Sequence, residues 1–157
     1  MIAPDQVILY AEDDENDAFL LGQAFKQADI THPLIVVENG KKALDYLAGT
    51  GAYASRGQHP LPCLLLLDLN MPGRSGLELL KWIRRRPNLS TLPVLVFTSS
   101  SEDSDVERAY LLGVNGYLIK PNRLEEMISM AKAIKDYWLV QNRGPTWARV
   151  TPTRSKG

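Results

Sequence analysis

The chain has 157 residues, 45% hydrophobic and 23% charged, with 18 basic against 18 acidic side chains. That profile fits one globular domain with a sizeable core and excludes wholesale attraction to nucleic acid or acidic substrates. A lone cysteine, Cys63, excludes an internal disulfide, and no apolar run is long enough to span a membrane. The N-terminus carries no secretory pattern, so a cytoplasmic protein with no membrane contact is expected.

Taken in order, Val7-Ile8-Leu9-Tyr10-Ala11 reads as a strand that ends abruptly in Glu12-Asp13-Asp14-Glu15. Asp14 or Asn16 can cap the following helix, in which Ala18, Leu21, Ala24, Phe25 and Ala28 keep helical spacing. Leu34–Val37 is a second strand, and Asn39-Gly40 opens a helix with Ala43, Leu44 and Leu47 inward. Residues 49–61 form a longer connection than most helix-to-strand loops, on the edge away from Asp68, and read as a surface excursion able to take part in an interface, with a catalytic role as the lesser alternative.

Pro62-Cys63-Leu64-Leu65-Leu66-Leu67-Asp68 is the most telling stretch. Four consecutive leucines between prolines at 62 and 72 predict a short strand buried on both faces, ending in a carboxylate. A helix is expected from Gly76 to Arg85, stopped by Pro87, with Arg84-Arg85-Arg86 as a solvated end. Pro93–Phe97 is the fourth strand, followed by Thr98-Ser99-Ser100-Ser101. Ser104-x-x-Glu107 matches a capping box for a helix closing near Gly113. Asn115–Ile119 is the fifth strand and runs into Lys120-Pro121. Asn122-x-x-Glu125 opens a last helix with Leu124, Met127, Ile128, Ala131, Ile134 and Trp138 at core spacing.

Five strands alternating with five helices predict an α/β fold: a doubly wound five-stranded parallel sheet in the flavodoxin-like order 2-1-3-4-5. Residues 141–157 have no apolar periodicity and carry Arg143, Arg149, Arg154 and Lys156 without an acid. They are expected to be a basic C-terminal tail on a domain of residues 5–140, which is left with 14 bases against 18 acids. A tail this short cannot form a separate output domain. As an arm it is expected to solubilise the protein or contact a partner, with no specific nucleic-acid binding.

In that strand order the first and third strands are neighbours, so Glu12, Asp13 and Asp68 converge at the carboxyl edge of the sheet. Three carboxylates at one point need a cation, and hard oxygen ligands suit Mg²⁺. Thr98 offers a hydroxyl and Lys120 a second counter-charge. Carboxylates, metal, ammonium and hydroxyl around one point suit phosphoryl transfer, with Asp68 as the nucleophile.

The pieces Glu12-Asp13, Asp68-Leu69-Asn70-Met71-Pro72-Gly73, Gly76, Thr98-Ser99, Gly116-Tyr117 and Lys120-Pro121 together resemble a response-regulator receiver domain of the CheY-like family, over about residues 5–138. The resemblance implies a phosphoacceptor switch rather than a turnover enzyme, with Asp68 taking phosphate from a sensor histidine kinase. It implies Mg²⁺ held by Glu12, Asp13, Asp68 and the Asn70 backbone carbonyl. Thr98 and Lys120 then contact the phosphoryl group, and Tyr117 is an aromatic switch. Glu12 stands where many receivers have aspartate. Glu-Asp at the first site, the 49–61 excursion and Asp136-Tyr137-Trp138-Leu139 are further similar to stand-alone regulators paired with bacterial phytochrome kinases. Such regulators imply a homodimer through the fourth and fifth helices, for which Tyr110, Met130, Tyr137 and Trp138 are the candidate contacts. The rivals are a non-phosphorylated pseudo-receiver scaffold and a haloacid-dehalogenase-type phosphatase. The phosphatase needs an acid two residues after its nucleophile, where this chain has Asn70.

Overall fold

The computed structural model describes residues 2–145. Its five strands are β1 (Ile8–Ala11), β2 (Leu34–Val37), β3 (Leu64–Leu67), β4 (Val94–Thr98) and β5 (Gly116–Ile119). Between and after them lie α1 (Glu15–Gln27), α2 (Gly40–Ala48), α3 (Gly76–Arg85), α4 (Asp103–Leu111) and α5 (Leu124–Ile134). The sheet is all parallel in the order β2-β1-β3-β4-β5, as the alternation predicts. Residues 146–157, most of the expected basic tail, lie outside the described residues.

The leucine run behaves as its composition dictates. All four leucines of β3 are buried; Leu64 and Leu66 pack on the α1/α5 side, Leu65 and Leu67 on the α2–α4 side. Neighbouring β1 splits likewise, with Ile8 and Tyr10 on one side and Leu9 and Ala11 on the other. A period of two on a strand filled on both faces yields two apolar layers from one continuous apolar run. The outer strands are half covered, and Val36 and Ile119 are exposed.

Register carries the strands to one edge. Ala11 pairs with Val37 and Leu67, and Thr98 pairs with Ile119. The ladder continues one residue further: the Glu12 amide donates to Val37 O at 3.0 Å, the Asp68 amide to Ala11 O at 3.1 Å and the Lys120 amide to Thr98 O at 2.8 Å. The first residue after β1, β3 and β5 is therefore fixed by the sheet itself.

Some local expectations fail. The cap of α4 is Glu102 and not Ser104, and it makes no side-chain capping bond. Ser100 serves that turn instead: its hydroxyl accepts the Glu102 amide at 3.3 Å and donates to Asp105 at 2.6 Å. The last helix starts after Arg123 and not at Asn122, Leu124 is exposed at its first turn, and the winding beyond Ile134 widens to a π-type turn over Lys135–Gln141. The 49–61 segment does run over the surface, and it is internally braced. Arg56 donates to the Tyr46 and Leu47 carbonyls at 2.7 Å each, closing the end of α2, and Tyr46, Tyr53 and His59 stack edge-on or tilted. Ile2 is buried as well, and its amide donates to Leu139 O at 2.8 Å.

The basic triplet is likewise not uniformly solvated. Arg84 donates to the carbonyls of Gly113 (2.9 Å), Ser90 (3.1 Å) and Leu92 (2.8 Å), and to Asn115 Oδ1 (3.0 Å). Asn115 Oδ1 also accepts the Val94 amide at 2.8 Å, so one guanidinium ties α3 to the starts of β4 and β5. Gly113, in the left-handed region at φ +91°, sits against this side chain. Replacing Arg84 with Met keeps the aliphatic stem and removes every bond. The expected cost is about 2–3 kcal/mol, because some orphaned carbonyls reach water. A urea midpoint equal to the parent's would show that the strap contributes nothing.

Candidate functional site

Asp68, Glu12 and Thr98 are the buried polar or charged side chains among the described residues, and all three lie at strand ends on the carboxyl edge. Asp68 and Glu12 reach it from β3 and β1, and Asp13 follows on the exposed rim. The α1 helix begins two residues later, capped by Asp14, whose Oδ1 accepts the Asn16 and Asp17 amides at 2.8 and 3.1 Å. Of the four acids after β1, Asp14 thus serves the helix. Glu12 and Asp13 remain for the site.

Each of Glu12, Asp13 and Asp68 offers a carboxylate oxygen, and these lie within 4.8 Å of one another. Three hard, anionic donors at that spacing fit a divalent cation of the Mg²⁺, Mn²⁺ or Ca²⁺ kind, not a soft metal. Gly76 lets the β3–α3 loop close over the same edge. A Cβ there would lie 2.3 Å from the Asp68 carbonyl oxygen and 2.8 Å from Leu69 Cα. Only glycine fits.

Lys120 enters from β5 with its side chain 8% exposed. Its ammonium bonds Glu12 Oε1 closely and reaches Asp17 Oδ2 at 2.8 Å and Asp68 Oδ2 at 3.2 Å. Burial alone would lower its pKa, but the bonds to Asp17 and Glu12 and the field of Asp68 outweigh that and raise it. It is a permanent cation. Burial pushes the Glu12 carboxyl up, against the lowering pull of Lys120 and the Asp14 amide. Asp17, from the first turn of α1, is a fourth carboxylate that sequence reasoning did not place here. Tyr10 was also missed: its hydroxyl donates to Glu12 Oε1 at 2.9 Å. The signal for Tyr10 was its position two residues before Glu12, on the same face of a strand.

Thr98 and Tyr117 are joined through Ser100. Thr98 Oγ1 accepts the Ser100 amide at 3.5 Å, and the half-buried Tyr117 donates its hydroxyl to Ser100 O at 2.9 Å. Both therefore meet at Ser100, the residue that braces the start of α4. Asn70 is exposed, and its amide donates to Asp68 Oδ1 at 3.4 Å. Burial pushes the Cys63 thiol up to about 12, and it lies in the α1/α5 core.

Residues 8–132 match the model of the response regulator receiver domain. Response regulator Rcp1 of Synechocystis is 38% identical over 136 residues, spanning 87% of this chain and 90% of that protein. The probable methanogenesis regulatory protein FilR2 of Methanothrix harundinacea is 40% identical over 139 residues, 88% of this chain and 87% of that one. Among solved structures, the phosphorylated cyanobacterial phytochrome response regulator RcpA superposes with a TM-score of 0.83 at 32% identity, covering 90% of this chain and 99% of its own. The Mn²⁺-bound form of Rcp1 gives 0.80 at 37% identity, with the same two coverages.

The acid cluster makes a thermal prediction. A cation that binds only the folded chain, at 100 times its Kd, adds about 2.7 kcal/mol, which for a chain of this size raises Tm by roughly 5–10 °C. Asp13→Asn is expected to keep the metal-free Tm and lose most of that rise. Equal rises in the two chains by scanning calorimetry would remove Asp13 from the site.

Proposed function

The chain belongs to the response regulator receiver domain family, and from that premise we propose that Asp68 is its phosphoacceptor. The observation that carries this reading is the buried Asp68 carboxylate, 3.2 Å from the Lys120 ammonium and clustered with Glu12 and Asp13. A carboxylate oxygen of Asp68 attacks the phosphorus of a phosphohistidine on the partner kinase. A P–O bond forms, giving an acyl phosphate. The P–N bond breaks, and its electron pair returns to the imidazole nitrogen, which takes up a proton. Lys120 and the Thr98 hydroxyl donate to the phosphoryl oxygens, where charge collects in the transition state. A Mg²⁺ ion held by Glu12, Asp13, Asp68 and the Asn70 carbonyl would supply positive charge at the same oxygens; the manganese form of Rcp1 supports a divalent ion.

Asn70 supports a switch over a phosphatase, because no acid stands two residues after the nucleophile to protonate a leaving group. The full set of site residues argues against a scaffold that is never phosphorylated. The kinase is of the phytochrome-linked kind, by similarity to the phytochrome response regulator RcpA. The receiver is assigned to residues 5–140 and to the cytoplasm. Among the described residues no helix is long and apolar enough to cross a membrane. Its output is a protein contact, a homodimer through α4 and α5, to which the exposed Tyr110 and Tyr137 would contribute. Tyr137 packs edge-on against Trp138, beside an apolar cleft of about 270 Å³ that Met130 also lines.

Incubation with a small phosphodonor and Mg²⁺ is expected to add one phosphoryl mass to the chain and none to Asp68→Asn; persistence of the adduct in that variant would refute the assignment. Thr98→Ala is expected to accept phosphate yet lose any phosphorylation-dependent change in sedimentation, because the hydroxyl links the site to Ser100 and through it to Tyr117. An unaltered change would place the relay elsewhere, and a monomer in both states would remove the dimer.

A further inference from the structure

One buried group in the site has no part in the chemistry above. Tyr10 is fully buried in the α1/α5 layer, with its ring tilted 47° against Phe97 at 5.9 Å between centroids. Its neighbours along β1 are aliphatic, and packing alone would be served by phenylalanine. The hydroxyl instead runs along the strand to Glu12 Oε1 at 2.9 Å. In that bond the phenol is the donor and the carboxylate the acceptor.

Glu12 has one more methylene than the aspartate it replaces, and hence one more torsion to fix. Its carboxylate is held from three directions: Tyr10 and Lys120 on Oε1, and the Asp14 amide on Oε2 at 3.1 Å. These donors differ in one respect. A divalent cation among Glu12, Asp13 and Asp68 would repel the Lys120 ammonium far more strongly than a phenol or a backbone amide, neither of which carries a net charge. Lys120 keeps Asp17 and Asp68 as partners when it leaves Glu12. The Tyr10 hydroxyl keeps Glu12 Oε1 as its acceptor.

We propose that Tyr10 is a positioning residue for the cation site: its hydroxyl holds the longer Glu12 carboxylate toward Asp13 and Asp68 while Lys120 is free to turn to the phosphoacceptor. The inference rests on the reading of Glu12 as a metal ligand. Partners that orient a ligand in this way commonly change metal affinity by about 10–100-fold when removed.

The test is Mn²⁺ affinity of the full, unphosphorylated chain, measured by electron paramagnetic resonance of free Mn²⁺, for the parent, Tyr10→Phe, Glu12→Asp, Glu12→Gln and the double variant Tyr10→Phe/Glu12→Asp. Tyr10→Phe is expected to weaken binding about tenfold, at the lower end of that range. In the Glu12→Asp background, where the shorter side chain falls out of reach of the phenol, the same change should alter affinity by less than about twofold. A merely structural tyrosine would cost the same in both backgrounds, and that result overturns the proposal, as does parental affinity in Tyr10→Phe. If Glu12→Gln binds Mn²⁺ like the parent, Glu12 is not a ligand and the underlying reading fails with it. A measurement on the intact chain serves if the variants do not fold. The Tyr10 hydroxyl proton, assigned through its ring protons by nuclear magnetic resonance, should persist and shift when Mg²⁺ is added. Its loss to exchange on adding Mg²⁺ would overturn the proposal.

Discussion

Everything at the carboxyl edge of this sheet depends on an imbalance of charge. Glu12, Asp13, Asp17 and Asp68 face one ammonium, Lys120, which contacts three of them. Two like charges about 4 Å apart repel by about 4 kcal/mol at an effective dielectric of about 20. The pocket is tolerable only because Lys120 is held charged at its centre and Asp13 stays in water. Such a site is poised to take up positive charge. The same excess of acid means that further negative charge on Asp68 is accommodated only with a cation nearby.

The rest of the fold exists to hold that imbalance in place. A sheet buried on both faces cannot shift register without dragging leucines of both layers out of contact. Extending the ladder one residue past each strand therefore fixes the backbones of Glu12, Asp68 and Lys120 more firmly than a loop would. Close approach at Gly76 and the Arg84 strap do the same for the connections. One keeps α3 tight against Asp68; the other joins α3 to the amino ends of β4 and β5, away from the chemistry.

The strand ends were legible because two signals coincide there: an apolar run too short for a helix, and a charged residue that stops it. Leu64–Asp68 and Val7–Glu12 are clear for that reason, and with the strand order they bring three carboxylates together. Side chains acting over long separations were not legible. Arg84 reads as an ordinary cation at a helix end until Asn115, 31 positions on, is seen beside it. Ser104-x-x-Glu107 satisfies a capping pattern, but the loop already supplies Ser100, and the helix starts where that hydroxyl can reach. Asp17 was hidden because an acid in a first helical turn is explained by the dipole alone. Tyr10 was hidden in a run of strand formers, where an aromatic residue needs no further reason.

The α4 helix has a thermodynamic consequence that its hydrogen bonds alone do not suggest. It buries a single residue, Ala109, where the other helices of the sheet bury three to five. Its first turn leans on one serine rather than on a cap of its own. An element with so little apolar area against the core belongs to the low end of local opening free energies. Opening it costs β3 and the layers around it little packing. Cooperativity in this protein is graded: a stiff sheet where charge is handled, and beside it one shallow-rooted helix whose first turn is braced by Ser100.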